Sequence, residues 1–183
     1  MLSDNARALA RLQYLIEHMA MGPHLPDMAE AQAWSSAGYP IISRGQTVLF
    51  GEAHDSLPYL AGGWWIPEAW GIWGIASPQT IRFALGADYR GGYVNVRVTM
   101  QGYAPADMDR PHVDICANGF FLGTYALRGS PQPIRVRLPP TCIGDGNILL
   151  HMSLHHTYSP ASVGDGHDGR QLGVGLVALA VDG

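Results

Sequence analysis

Eleven residues, Gly63-Trp64-Trp65-Ile66-Pro67-Glu68-Ala69-Trp70-Gly71-Ile72-Trp73, hold four of the five tryptophans and one of the four glutamates of the chain. An indole offers a broad apolar face and a single N–H donor, so it packs and orients at once. Such a run is either a stiff structural corner or a stacking surface for a planar or sugar-like ligand. A sugar ring lays its apolar C–H face on an aromatic plane, while its hydroxyls seek carboxylate and guanidinium partners. On that reading Trp64, Trp65, Trp70 and Trp73 are the stacking candidates, Trp65 and Trp70 before the others, and Glu68, Asp168 and Arg170 supply the polar contacts. Trp64 and Trp73, at the ends of the run, are the indoles most readily assigned to the core, and Trp65 is the one expected at the surface. A carboxylate against indoles would have a raised pKa and act as an acid, with Asp168 as its partner if the two loops meet. The preferred alternative pairs Glu68 with an arginine such as Arg170, or gives it a backbone-capping role, since structural networks also perturb carboxylates. Nothing in the sequence sets the carboxylate separation, so no glycosidase geometry follows from it.

Other chemistry-bearing types yield less. His151, His155 and His156 suggest a metal site, but on a strand residues four apart lie roughly 13 Å apart, too far to share one ion at bond lengths of about 2 Å. Gly164-Asp165-Gly166-His167-Asp168-Gly169 lacks the third acidic position and the distal glutamate of a calcium loop. Gly173-Val174-Gly175-Leu176-Val177-Ala178 has the letters of a dinucleotide fingerprint, but too little chain follows it for a βαβ unit. All 11 basic residues are arginine, so a P-loop lysine, a Schiff base and a Ser-Lys dyad are excluded. Cys116 and Cys142 lie in no nucleophile motif and read as reduced thiols. No metal and no cofactor is expected. The net charge of −4 and the want of a basic stripe argue against nucleic acid. Without a leader-like opening or a spanning apolar run, a cytoplasmic location is the expectation.

Two kinds of element must position these residues. In the first 45, Ser3 can cap a helix with Leu9, Leu12, Leu15, Ile16 and Met19 on one face, ended by Gly22-Pro23. A second short helix follows Pro26-Asp27 and runs to Trp34. The apolar stripe of the first helix packs on the main domain or docks on another subunit. From Gln46 the period changes to two. Strands are expected over 47–50, 80–85, 93–100, 112–117, 120–127, 134–138, 148–155 and 172–181, separated by Gly, Pro and Asp clusters. Ala117-Asn118-Gly119-Phe120 reads as a type I′ hairpin. Alternation turns Val94, Val96, Val98, Val113, Ile115, Leu150, Met152 and Leu154 inward. The fold class that follows is all-β, a jelly-roll-like antiparallel β-sandwich over 46–183 with a helical extension over 1–45.

Three stretches in order also resemble a known family. Gly63 to Trp73 is similar to the Gly-Trp-x-x-Pro-Glu-x-Trp-Gly-x-Trp signature of a β-sandwich accessory domain associated with bacterial glycosyltransferases and surface-polysaccharide assembly proteins. Val113 to Tyr125 resembles that family's strand, Asn-Gly turn and returning strand. Ser159-Pro160-Ala161, Gly164 and Asp168 to Leu176 resemble its closing motif. Trp65 stands where a small polar residue is more usual, and the His155-His156 pair departs from the pattern. The resemblance spans about 46–183 and implies a non-catalytic module, often fused to a sugar-transferring enzyme.

The function expected is that of a non-catalytic, carbohydrate-recognising accessory protein of bacterial surface or exopolysaccharide synthesis. Its alternative is a structural or assembly protein that docks a glycosyltransferase, or self-associates through the N-terminal helix, without binding sugar. A glycan-processing enzyme using Glu68 ranks last, for want of a nucleophile motif and because fold analogy alone carries no activity.

Overall fold

The computed structural model describes residues 32–182. The chain divides after Ala33, and the second unit begins at Trp34. The helix expected from Ser3 to Gly22 lies outside the described residues, as does most of the one expected after Pro26.

Two sheets face each other. The first holds β1 (Ile41–Ile42), β5 (Gln79–Leu85), β10 (Asn147–Leu154), β7 (His112–Ala117) and β8 (Phe120–Ala126) in that order, with β3 (Leu60–Gly62) also on β5. The second runs β2 (Thr47–Leu49), β11 (Val174–Val181), β6 (Val94–Gly102) and β9 (Gln132–Leu138), with β4 (Ile72–Trp73) also on β11. Every pairing is antiparallel except that of β1 with β5. This is the all-β sandwich expected from the alternation. All eight expected strands are present, their ends moved by at most two residues. Three were not anticipated: β1, β3 and β4 are two or three residues long, too short to show a period. β1 lies before residue 46 and is nonetheless hydrogen-bonded into the first sheet.

The alternating residues meet between the sheets. Val94, Val96, Val98 and Met100 of β6 face Val113 and Ile115 of β7 and Leu150 and Met152 of β10 across a closed apolar layer. Leu154, also expected inside, is only partly buried at the strand end. Phe50 and Tyr59 add an edge-on ring pair 6.4 Å apart. Each large side chain so buried contributes about 1.5–3 kcal/mol.

The β7–β8 turn takes the expected form. Asn118 (φ 48°) and Gly119 (φ 83°) both lie at positive φ, as a type I′ turn requires. Asn118 also ties three elements. Its Nδ2 donates to Cys142 O (2.9 Å), in α1 (Pro140–Ile143), and to Asn147 O (2.8 Å), while its Oδ1 accepts from Leu149 N (2.8 Å). Asn118→Ala removes three bonds and places a Cβ residue with no local polar compensation in the left-handed region. It is expected to lower unfolding free energy by about 2–3 kcal/mol in chemical denaturation. Asn118→Gly should recover about 1 kcal/mol of that loss, the backbone part.

Cys116 and Cys142 are unbridged. Cys142 is buried with its thiol donating to Ala117 O, and burial pushes that thiol up.

Candidate functional site

The tryptophan run folds back on itself. Trp65 N donates to Trp73 O (2.8 Å), and Glu68 and Gly71 exchange backbone bonds at the tip (2.7 and 3.2 Å). Gly74 N donates to Val174 O and Glu52 N to Glu68 O, which fastens the hairpin to β11 and to the chain after β2. Two glycines make this close approach possible. A Cβ on Gly71 would lie 2.4 Å from Leu176 O. A Cβ on Gly175 would lie 2.7 Å from Gln101 Cγ, 2.8 Å from Trp73 Cζ3 and 3.1 Å from Trp70 Cη2. The Trp70 and Trp73 rings therefore rest on bare β11 backbone, on the outer face of the second sheet. They meet edge to face with centroids 5.1 Å apart.

The four indoles do not share one fate. Trp64 is 3% exposed, and its Nε1 donates to Thr80 O (2.7 Å), so it belongs to the core as expected. Trp65 and Trp70 are half-buried. Trp73 is also half-buried, which corrects its assignment to the core. Its strand is two residues long; Ile72 takes the inward position and Trp73 the outward one.

The second part of the site comes from the segment between β10 and β11. A bridge between Tyr158 and Leu172 closes this loop at its base. Inside it Asp168 O accepts from Ser159 Oγ (3.0 Å) and Ala161 N (2.9 Å). Asp165 accepts from Tyr103 OH (2.8 Å), which moors the loop to the end of β6. Desolvation first, then the hydrogen bond to and charge of Asp165, push the Tyr103 phenol up.

The loop carries Arg170 to the hairpin. Its Nη1 reaches Glu68 Oε1 at 3.1 Å, and its Nη2 reaches Asp168 Oδ2 at 2.7 Å. Nε donates to both Asp168 oxygens at 3.0 Å, and the Arg170 backbone N caps Oδ1 at 3.0 Å. Glu68 Oε2 accepts from Trp70 Nε1 at 2.9 Å. Arg170 Cζ stands 5.8 Å from the centre of the Trp65 ring, within the reach of a cation–π contact of about 6 Å. All five residues singled out from the sequence thus meet, and the Glu68–Arg170 pair is present. Burial works against the Arg170 charge, but hydrogen bonds to and attraction from Asp168 and Glu68 outweigh it and hold the guanidinium above its ordinary range.

Chemically this is a half-open aromatic platform edged by a carboxylate–guanidinium–carboxylate ladder. Arg170 is 19% exposed at its side chain, Glu68 35% and Asp168 32%, so the ladder is oriented yet reachable from water. Its remaining lone pairs can accept hydroxyl hydrogens. Gln101 and Tyr103 were not anticipated from the sequence, and Trp73, a stacking candidate there, was conceded to the core. A glycine paired with Trp73 in a strand of otherwise apolar residues was the available signal, since an interior strand glycine marks a close approach.

The histidines are engaged separately. His151 Nδ1 lies 3.0 Å from Thr80 Oγ1, and His155 Nε2 3.0 Å from Asp114 Oδ1. Hydrogen bonds from Thr124 first and His155 second hold Asp114 below the usual carboxylate range. Among the described residues no group of three or more His, Cys, Asp or Glu is placed to hold a metal ion, and no helix is long and apolar enough to cross a membrane.

No family model matches the chain. No curated protein matches it in sequence. Among solved structures, the chain is similar to the CBM36-1 domain of a multidomain xylanase from the hindgut metagenome of Trinervitermes trinervoides. That likeness is at 15% identity over 62% of this chain and 77% of that one, with a TM-score of 0.36. It is similar to a family 35 carbohydrate binding module from an environmental isolate at 12% identity, over 85% and 90% of the two chains, with a TM-score of 0.41. It is also similar to a CBM36 module in complex with calcium and xylotriose, at 13% identity over 61% and 80%, with a TM-score of 0.36.

Proposed function

We propose that the sandwich recognises carbohydrate at the Trp65–Trp70–Trp73 platform and does not transform it. The observation that carries this reading is the convergence of half-buried indoles with a carboxylate–arginine ladder built from segments 102 residues apart. A core tryptophan corner would need no such ladder at its rim. Both Glu68 oxygens already accept, one from Trp70 and one from Arg170, which suits a fixed acceptor for sugar hydroxyls. The setting proposed from the motif resemblance is bacterial surface-polysaccharide assembly, beside a glycosyltransferase and in the cytoplasm.

Trp65→Ala tests the reading by affinity electrophoresis through a panel of immobilised glycans. A central aromatic anchor is worth about 2 kcal/mol or more, so retention is expected to fall roughly 30-fold. The thermal midpoint should fall by no more than about 4 °C. Undiminished retention by the folded variant, or a panel in which no glycan retards the parent protein, would overturn the proposal.

A further inference from the structure

The outer face of the second sheet continues from the tryptophan platform, and its far end is basic. Strand register orders it in rungs. Trp73, Gly175 and Gln101 form the first; Leu49, Ala178 and Thr99 the second; Ala180, Arg97 and Arg135 the third; Asn95 and Arg137 the last. Along β6 the residues between these positions, Val94, Val96, Val98 and Met100, all point into the core, so Arg97 and Gln101 share the outer side. From Gln101 to Arg97 is roughly 13 Å, and to Asn95 roughly 20 Å.

Charge changes sign along that line. At the platform Glu68 and Asp168 outnumber Arg170. At the far end Arg97, Arg135 and Arg137 stand against Asp182, which lies 3.4 Å from Arg97 Nη1 and 3.9 Å from Arg135 Nε. Three guanidinium groups against one carboxylate leave an excess of two positive charges, on a chain whose net charge is −4. Arg135 is 75% exposed at its side chain. Arg137 lies 3.9 Å above the ring of Tyr93, which is itself 56% exposed, so a second aromatic surface sits beside the cations.

Resting on the carbohydrate reading above, we infer that this face is an extended subsite for an acidic polysaccharide. A neutral residue stacks at Trp65, Trp70 and Trp73. A carboxylate-bearing sugar a few residues along the same chain pairs with Arg135 and Arg137 beside Tyr93. The guanidinium fork matches a carboxylate in two-point geometry, whereas the acidic rim of the platform repels it. This polarity sets the direction in which the glycan lies.

The experiment uses the full chain and three polymers in which a uronate alternates with a neutral sugar, hyaluronate, unsulfated chondroitin and heparosan, each beside its methyl-esterified or carboxyl-reduced form. At least one uronate polymer should be retained, and neutralising its carboxyls should weaken retention about tenfold. The double variant Arg135→Gln/Arg137→Gln should lose about the same factor on the charged polymer and nothing on the neutral form, as two partly exposed ion pairs would. Arg135→Lys/Arg137→Lys should recover part of it, and added salt should erode it. If a neutral glycan is retained through Trp65 while no uronate polymer is favoured, the acidic subsite is wrong and the platform stands. If Trp65→Ala and the arginine variants all leave retention unchanged, both fail. Equal retention of single-stranded DNA, indifferent to Trp65→Ala, would recast the arginines as a general polyanion surface and overturn the inference.

Discussion

Trp64→Ala is expected to lower the unfolding free energy by about 3–5 kcal/mol, the usual cost of removing a buried large aromatic side chain. The cost has two sources. The indole is enclosed between the sheets, so its removal leaves a cavity that surrounding β-structure closes only in part. Its Nε1 also satisfies Thr80 O, a carbonyl within β5, and that acceptor is left without the bond. Trp64→Phe should fall between, because it keeps most of the volume and loses the hydrogen bond. The neighbouring Trp65→Ala should cost about 1 kcal/mol, since its ring is partly exposed and no hydrogen bond ties it to the core. Adjacent indoles should therefore separate cleanly in equilibrium denaturation, one reporting on stability and the other on binding. Similar destabilisation by both would mean that Trp65 is a core residue and would remove the platform.

Arg170→Ala is expected to abolish glycan retention and to lower stability by about 1–2 kcal/mol. Hydrogen bonds to charged groups contribute about 1.5–3 kcal/mol when sheltered, and this one is discounted because Glu68 and Asp168 are about a third exposed. The binding loss should exceed the stability loss. Without the guanidinium, Glu68 keeps only Trp70 Nε1, and the hairpin and the 156–173 loop lose their side-chain link. Arg170→Lys keeps the charge but cannot reach Glu68 and both Asp168 oxygens through one planar fork, so it should restore stability better than retention. Calorimetric unfolding and affinity electrophoresis on the same samples check the two effects. Retention equal to the parent in Arg170→Ala would show that the ladder is a structural clasp and not part of the binding surface.

Fold and site were legible to different depths. Most of the long strands could be read because side-chain alternation is a local property, repeated over six or more residues in β6, β7, β9 and β10. The Asn118-Gly119 turn could be read because its two positive φ values restrict residue type at two adjacent positions. The unanticipated β1, β3 and β4, of two or three residues, had no such period. Trp73 illustrates the difficulty. Its place at the surface follows from pairing with Gly175, a partner about a hundred residues away, whose missing side chain leaves room for the ring.

Residue chemistry alone singled out Trp65, Glu68, Trp70, Asp168 and Arg170, because indoles, carboxylates and a guanidinium are what a sugar-like ligand would need. Local pattern alone also carried the sandwich, since burying one face of each strand leaves few alternatives. Distances were another matter. That Arg170 lies 3.1 Å from Glu68 and 2.7 Å from Asp168, and that the arginines of β6 and β9 share a face with the indoles, depends on strand order and register. Those are settled by packing between segments far apart in the chain, where no short-range pattern reaches.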